Sequence, residues 1–394
     1  MQIPLSKPDI TDREIQKVCE VLRSGKLSLG PCVPEFEEKC AAYIGTRYAV
    51  AVNSGTSALH LIVRALGIGA GDAVITTSFS FVASTNCFLY EGATPIFVDI
   101  DPATLNLDPR AVRSFLNSQC DVKGGEVIER RTGRRVRAIV PVHVFGVPCD
   151  MEAIMEIAQE YGLRVIEDSC EAIGATYRGR KAGTFGEAAA FAFYPNKQMT
   201  TGEGGMIVTN DERIALECRS MRNQGRDATS EWLQHVRVGY NYRLSDIHAA
   251  VGTVQLERIS ELLDARERVA GIYSRALKDH EHLSLPFHPA DTVPSWFVYV
   301  IQIQATKAVR DQVISILRGH GIGCQAYFPA IHQQPYMREF SGEAANLANT
   351  ERAATRCLAL PFFSQMTESQ VAYVCEQLEL ALEQSTAGLV PAAA

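Results

Sequence analysis

Two residues near the ends of separate apolar runs could do chemistry together. Lys197 follows the apolar run 188–193, and Asp168 follows the apolar run 163–166 further upstream. An amine that forms a Schiff base and an anion that faces a pyridinium nitrogen are what pyridoxal phosphate (PLP) requires. The pair therefore favours a PLP site. A helix cap or surface acid for Asp168, and a solvent-exposed amine for Lys197, are the alternatives.

A third candidate is the turn 53–57, which links an apolar run to a helical pattern. Gly55 permits a tight turn, and Thr56 and Ser57 offer amides and hydroxyls at a helix N-terminus, where a phosphate is favoured. Taken alone, the turn is explained as well by Ser54 or Thr56 capping the helix. Beside a lysine and an aspartate at neighbouring strand ends, phosphate binding is the favoured interpretation.

Five further residues could complete the site. Phe79 and Phe81 follow another apolar run, and each ring could face a flat heterocycle or pack in the core, a choice that the sequence pattern leaves open. Asn241 and Arg243 could bind phosphate or carboxylate, although a loop or capping role is the commoner one. His332 could touch a substrate, with packing as an equal alternative.

The elements that position these residues alternate between short apolar runs and helical patterns from residue 48 to 210. This alternation predicts a largely parallel, buried sheet with crossover helices. Ligands gather outside the carboxyl ends of such strands, so Asn53, Ser78, Asp168 and Lys197 should share one crevice. The predicted strands are 48–52, 73–76, 95–98, 138–142, 164–166, 188–193 and 206–208, and the helices 57–66, 83–90, 109–116 and 151–161.

The C-terminal part has a second α/β pattern. A helical pattern covers 245–279, and the later elements are a strand at 295–303, a helix at 308–320, a strand at 325–328 and a helix at 368–382. We predict an α/β protein with a large domain (1–255) and a smaller C-terminal α/β domain (256–394). The large domain should contain a mostly parallel seven-stranded sheet flanked by helices. The small-residue tail 385–394 is predicted to be mobile.

Composition excludes several classes of protein. A net charge of −7 argues against a nucleic-acid partner, and no apolar run approaches the roughly 18 residues of a membrane span. The N-terminus lacks a signal-peptide pattern. The 11 unpatterned cysteines predict reduced thiols in the cytoplasm, with neither a disulfide framework nor a metal site. The basic cluster 130–137 is predicted to be a solvated loop, and the insertion 120–135 has no assigned role.

Together these segments resemble the DegT/DnrJ/StrS family of sugar aminotransferases, which have the fold type I architecture of the aspartate aminotransferase superfamily. The strongest match is Phe193-Tyr194-Pro195-Asn196-Lys197 followed by the turn 201–205. The resemblance covers nearly the whole chain and includes 24–31, 51–59, 71–75, 95–99, 167–172, 239–243 and 328–332.

The resemblance implies a role for each matching residue. Lys197 is the Schiff-base lysine, Asp168 the pyridinium partner, and Phe81 the aromatic ring that stacks on the cofactor. Thr56 and Ser57, in the turn at Gly55, match phosphate contacts.

The resemblance also implies a homodimer with shared active sites. Asn241 matches a residue that reaches the cofactor phosphate of the neighbouring subunit, and Arg243 matches one that helps to hold a carboxylate or phosphate. Two positions depart from the family pattern. Ala192 replaces a common phosphate-binding serine, and Glu171 replaces a common glutamine at the cofactor ring, which leaves the role of Glu171 open.

The hypothesis is a cytoplasmic aminotransferase of polysaccharide biosynthesis. It would pass the amino group of L-glutamate, through a Lys197 Schiff base and pyridoxamine phosphate, to C4 or C3 of a nucleotide-linked keto-deoxy sugar. A cyclic keto-polyol is the alternative substrate. A related dehydratase, which the resemblance says carries histidine in place of the lysine, is disfavoured by Lys197. A non-catalytic PLP-fold regulator should lack the lysine or the aspartate, and this chain has both.

Overall fold

The structure, a computed structural model, describes residues 1–227, 231, 233–340 and 346–386. The α-helices among them are α1 (Asp12–Ser24), α2 (Cys32–Ile44), α3 (Gly55–Ala65), α4 (Ala83–Leu89), α5 (Pro109–Gln119), α6 (Met151–Tyr161), α7 (Glu212–Arg222), α8 (Asp246–Glu257), α9 (Ile259–Leu277), α10 (Lys307–Gly319), α11 (Ala348–Arg356) and α12 (Glu368–Thr386). The strands are β1 (Tyr48–Val52), β2 (Asp72–Thr77), β3 (Thr94–Val98), β4 (Cys120–Lys123), β5 (Glu126–Glu129), β6 (Arg135–Val140), β7 (Arg164–Asp168), β8 (Thr176–Tyr177), β9 (Arg180–Lys181), β10 (Ala188–Ala192), β11 (Gly205–Thr209), β12 (Leu283–Ser284), β13 (Thr292–Val293), β14 (Tyr299–Ile303) and β15 (Cys357–Leu360).

The predicted sheet is confirmed and is largely parallel. Its seven central strands lie in the order β1-β11-β10-β7-β6-β2-β3, with β11 antiparallel to both of its neighbours and the other four pairs parallel. Alternate residues enter different cores: Val50 and Val52 pack on the side of α3 and α7, Ala49 and Ala51 on the side of α2 and α8. Because helices cover both faces, these strands are almost wholly apolar.

The prediction of a solvated loop for the basic cluster holds for residues 130–134, a turn between β5 and β6, and is wrong for Arg135 and Arg137, which lie on β6. The strands β4 and β5 form an antiparallel hairpin that pairs with β6, and their turn is Gly124-Gly125, with positive φ at both residues. A two-residue glycine turn between residues of high strand propensity is a hairpin signal that the charges obscured. Local acids neutralise the cluster, since Arg130 pairs with Asp121 and Arg135 with Asp72 and Glu126.

Two predictions for the C-terminal part also needed correction. The single helix predicted over 245–279 is interrupted at Arg258, whose guanidinium binds Asp9, Glu14 and Glu261 between α8 and α9. The predicted strand 325–328 is reduced to one bridge between Gln325 and Ala359. β14 pairs instead with β15 on one side, where Cys357–Leu360 supplies four buried apolar residues in register, and with β12 on the other.

A separate core surrounds the small sheet β12-β14-β15. Its buried side chains come from α9, α10, α12 and these strands, and Ile3 joins them through a parallel bridge to Ile322. The domain boundary near residue 255 stays a prediction. The predicted mobile tail lies, from residue 387 onward, outside the described residues.

Candidate active site

A cavity of about 620 Å³ lies at the carboxyl ends of the central strands. Segments following β1, β2, β6, β7 and β10 reach it, as parallel-strand topology predicts. Asp168 and Lys197 both line it, whereas Asn53 and Ser78, which were predicted to share the crevice, do not line it and bind other side chains. The lining residues are Ser54, Gly55, Thr56, Leu59, Ser80, Phe81, Ala83, Ser84, Val142, Asp168, Cys170, Glu171, Ala192, Tyr194, Asn196, Lys197, Glu203, Gly204, Phe297, Gln325, Ala326, Tyr327, Phe328 and Pro329.

Lys197 lies in the turn after β10 and projects into this cavity. Its Nζ is 3.4 Å from Oε1 of Glu171 and 3.8 Å from the centre of the Phe297 ring. A carboxylate and an aromatic face both stabilise an ammonium group. The lysine is therefore held between two favourable neighbours, at a separation from Glu171 that is long for a tight ion pair.

Glu171 is fixed from its other side. Its Oε2 accepts a hydrogen bond of 2.9 Å from the backbone N–H of Phe145. Burial raises the pKa of the Glu171 carboxyl, while the neighbouring Lys197 lowers it. The carboxyl can therefore hold a proton more readily than an exposed glutamate can.

Asp168 ends β7 as a buried carboxylate with partners on both oxygens. Its Oδ2 accepts a hydrogen bond from Ser84 Oγ at 2.7 Å, and its Oδ1 accepts one from the backbone N–H of Cys170 at 3.1 Å. Asp168 is thus a fixed carboxylate in the wall of the cavity, the position predicted for a pyridinium partner. Burial raises the pKa of the Cys170 thiol well above its ordinary value, which suits a packing role.

The turn at the start of α3 both caps the helix and leaves donors free. Ser54 Oγ accepts from the backbone N–H of Ser57, and Ser57 Oγ donates to Asn53 Oδ1 at 2.7 Å. The Ser57 hydroxyl is therefore committed, and Ser57 does not line the cavity. The N–H groups of Gly55 and Thr56 have no acceptor in the part of the chain that the structure describes. An anion at this helix N-terminus would satisfy them.

The choice between Phe79 and Phe81 is decided by their burial. Phe79 is fully buried and makes edge contacts with Phe145 and Phe328. Phe81 is 61% exposed and lines the cavity. Of these two residues, Phe81 is therefore the one that can present its ring to a bound group.

Asn241 and Arg243 do not reach the cavity of their own chain. Asn241 is exposed on a segment that pairs with Asn223, and Arg243 donates to Asn223 Oδ1 at 2.9 Å. His332 is also absent from the cavity wall. Its ring Nδ1 is 2.7 Å from Ser78 Oγ and its Nε2 is 3.3 Å from Glu351, so within this chain it packs between two elements.

Sequence reasoning missed two residues at this site. Ser84, in the first turn of α4, holds Asp168, and Phe297, just before β14, supports the lysine. A hydroxyl on the inner face of the predicted helix 83–90 was an available signal for Ser84. Phe297 gave no signal, because residue 297 meets residue 197 only through tertiary folding.

The residues present fit PLP. The free amides of Gly55 and Thr56 suit a phosphate, Asp168 is the buried anion, and Lys197 is the amine. A Cβ on Gly55 would lie 2.7 Å from the Cβ of Ala192. The close approach of the turn to β10 therefore requires a small side chain at residue 192 and none at residue 55. The serine hydroxyl that Ala192 lacks would have been one donor among several.

Two further features of the described residues bear on other classes of site. No group of three or more His, Cys, Asp or Glu side chains in them could hold a metal ion. None of their helices combines the length and apolarity needed to cross a bilayer.

Comparisons with known proteins agree with this geometry. The model of the DegT/DnrJ/EryC1/StrS aminotransferase family matches residues 8–379. The chain is 38% identical over 384 residues to GDP-perosamine synthase of Caulobacter vibrioides, covering 97% of this chain and 98% of the relative.

Two solved structures are similar along almost their whole length. DesI in the presence of its TDP-sugar product shares 31% identity with a TM-score of 0.86, covering 98% of this chain and 94% of that one. The PLP form of a putative sugar aminotransferase from Streptococcus pneumoniae shares 25% identity with a TM-score of 0.89, covering 98% of this chain and 100% of that one.

Proposed function

Because the chain belongs to the DegT/DnrJ/EryC1/StrS aminotransferase family, it is a PLP-dependent aminotransferase, and we propose that it aminates a nucleotide-linked keto-deoxy sugar. L-glutamate is the proposed donor, and C4 or C3 is the proposed carbon. The observation that carries this proposal is the convergence of Lys197, Asp168 and the free amides of α3 on one cavity.

Each residue has a proposed task. When bound, PLP supplies a ring that accepts electrons as the amino donor is deprotonated. Lys197 Nζ bonds the cofactor at rest and afterwards holds and returns the proton from the donor's α carbon. Asp168, oriented by Ser84, stabilises a proton on the ring nitrogen. Phe81 is proposed to cover the ring.

The proposed phosphate contacts are backbone and side-chain donors at the turn before α3. Gly55 and Thr56 contribute amides, and the Thr56 hydroxyl lies beside them. Ser57 stays a prediction as a direct contact, since its hydroxyl already serves Asn53. Glu171 is proposed to hold a proton at the cofactor ring, where burial favours its protonated form.

The proposed substrate class rests on the relatives. One relative is named for GDP-perosamine, and the similar DesI structure contains a TDP-sugar. A nucleotide-linked sugar is common to both, whereas the nucleotide differs. We therefore propose a nucleotide-linked sugar as the substrate class, and the experiment below identifies the nucleotide.

We further propose a homodimer in which each copy completes the site of the other. Asn241 is exposed and outside its own cavity, although it matches a phosphate contact. A second copy would bring Asn241 to the cofactor phosphate and Arg243 to a carboxylate or phosphate, and it would cover the exposed Phe81. A cytoplasmic location is proposed from the 11 free cysteines, which suit a reducing compartment.

Product analysis tests the function directly. Purified enzyme with PLP is incubated with isotope-labelled L-glutamate and a panel of GDP-, TDP- and UDP-linked 4-keto and 3-keto sugars, plus a keto-cyclitol. We expect labelled nitrogen in one keto sugar by mass spectrometry. Lys197→Ala should abolish the transfer, and the exposed Lys307→Ala should leave it unchanged. Transfer to the cyclitol alone, or undiminished transfer by Lys197→Ala, would contradict the proposal.

A further inference from the structure

Arg266 of α9 is buried, and all of its hydrogen bonds go to backbone carbonyls. The residue is 3% exposed. Its Nη2 donates to the carbonyl of Lys197 at 2.8 Å, and its Nη1 donates to the carbonyls of Trp296 and Phe297 at 3.2 and 3.1 Å. Among the described residues no carboxylate is hydrogen-bonded to this guanidinium.

Burying the Arg266 guanidinium without a hydrogen-bonded carboxylate costs free energy. Burial lowers the pKa of Arg266 to about 10, with a nearby Asp9 opposing the shift, so the group is still charged at neutral pH. Buried charges without a paired counter-ion are strongly disfavoured. Leu262, Val269 and Tyr273 on the same face of α9 are ordinary core residues, and an apolar side chain in their company would avoid the cost.

The bonds that offset this cost converge on the reactive lysine. No other donor reaches the Lys197 carbonyl within the described part of the chain. The same guanidinium holds the carbonyl of Phe297, whose ring lies 3.8 Å from Lys197 Nζ. Arg266 therefore sets the position of the lysine backbone and of the ring that supports its amine.

The next residue strengthens the same connection. Gln198 Nε2 donates to the carbonyl of Glu171 and to Ser295 Oγ. Glu171 is the carboxylate beside Lys197, and Ser295 begins the segment that leads to Phe297. The turn at Lys197 is thus connected to the segment 295–297 in two ways, directly through Gln198 and indirectly through Arg266. Among the described residues, Arg266 is the only charged hydrogen-bond donor that makes this connection.

We propose that Arg266 is the positioning residue of Lys197. By holding the Lys197 backbone, Arg266 aligns the lysine amine for bonding to the cofactor carbon. The same side chain connects that alignment to the packing of α9 against the segment that precedes β14. This inference rests on the proposed role of Lys197. Arg266 touches neither cofactor nor substrate and acts through the lysine backbone. Its removal should therefore change the chemistry of the lysine more than the affinity for substrate.

The test compares Arg266→Met, which removes the donors and keeps the bulk, with Arg266→Lys, which keeps the charge. The rate at which the cofactor-free protein bonds PLP is followed by visible absorbance, with borohydride trapping and mass spectrometry to identify the modified residue. A misplaced reacting group costs on the order of tenfold to a hundredfold, so we expect that loss for Arg266→Met. Arg266→Lys should be intermediate, and in both variants kcat for L-glutamate should fall more than KM rises.

Arg268→Met is the matched control. Arg268 lies on the same helix and also donates to two backbone carbonyls, those of Ser364 and Met366, neither of which lines the cavity, although Arg268 itself is exposed. Its loss should lower thermal stability and leave the rate of PLP bonding within about twofold of wild type. The pH titration of the visible band should likewise shift only in the Arg266 variants.

The outcomes are separable. If folded Arg266→Met bonds PLP at the wild-type rate with an unchanged titration, the inference is wrong and the proposed function stands. If Arg266→Met does not fold, Arg266→Lys decides between the same two results. If trapping in the wild type labels a residue other than Lys197, the proposed function fails and this inference fails with it.

Discussion

The two sides of the cavity are built differently. On one side, Lys197, Asp168 and Glu171 are largely buried, and each is held by partners in its own chain. On the other side, Phe81 is 61% exposed; Asn241, which belongs to this side only through the proposed dimer, is exposed and lies outside the cavity of its own chain. The first side is held within one chain, whereas the second presents exposed side chains that the proposed second copy would cover.

The difference has a physical basis. A buried polar group must be hydrogen-bonded, so the chain itself fixes its position. An exposed side chain keeps its conformational freedom until a ligand or another chain orders it. Substitutions on the buried side should therefore act in each chain separately, and substitutions on the exposed side should act only through assembly.

The largest effect is expected from Asp168→Asn, which keeps the shape of the buried side and removes its charge. Without the anion, a proton on the ring nitrogen loses its partner, and we expect kcat to fall roughly a thousandfold, about 4 kcal/mol in barrier. Steady-state kinetics with saturating PLP measures it. Ser84→Ala, which removes only the hydroxyl that donates to Asp168, should lose about fivefold, since one hydrogen bond contributes about 1 kcal/mol. If Asp168→Asn kept a tenth of wild-type activity, Asp168 would not be the anion that stabilises a proton on the ring nitrogen.

A smaller effect is expected from Asn241→Ala, on the exposed side. Loss of a hydrogen bond to a charged phosphate should speed cofactor release by roughly tenfold or more. Mixing this variant with Lys197→Ala sharpens the comparison. The mixture is assayed at a PLP concentration so low that Asn241→Ala alone is nearly inactive. In a homodimer with shared sites, half of the dimers are mixed and each carries one intact site, so activity should then recover to about a quarter of wild type.

The recovery is measured after subunit exchange, against each variant kept alone. Mixing Lys197→Ala with Asp168→Asn is the control, because both residues belong to the same side and every site stays defective. Recovery in that control, or none in the Asn241 mixture, would break the distinction between the two sides.

The smallest effect on activity is expected from Glu171→Gln, because 3.4 Å between Glu171 Oε1 and Lys197 Nζ is long for a charge-assisted hydrogen bond. We expect kcat within about tenfold of wild type. The effect on stability depends on pH. Burial raises the pKa of folded Glu171 above its ordinary 4.5, so the unfolded chain loses this proton first as pH rises.

The free energy of unfolding therefore falls with rising pH between the ordinary value and the raised one. Glu171→Gln lacks this fall, so its stability relative to wild type should increase from about pH 4 to pH 7. Chemical denaturation at several pH values measures it, with the exposed Glu281→Gln as a control that should show no trend. A constant difference across this range would mean that Glu171 stays ionised as easily in the folded chain as in water.

Much of the sheet could be predicted because its strands are apolar runs separated by helical patterns. The predicted strand ends placed Lys197 and Asp168 at one crevice, and the structure confirms that both line it. The hairpin β4–β5 was missed because charged residues concealed its alternation, and the break at Arg258 because the residue that interrupts the helix is itself a good helix former.

By itself the sequence determined the fold class, the family resemblance and the residue types that suit PLP, since these depend on local patterns and on motifs read in order. The family resemblance already favoured Phe81 over Phe79 as the cofactor-facing ring, whereas only the tertiary structure showed that Phe79 is buried in the core and that the Ser57 hydroxyl serves Asn53. It also brought Phe297 and Arg266 to the lysine from distant positions. Contacts between residues far apart in the chain arise from packing, and no local pattern encodes them.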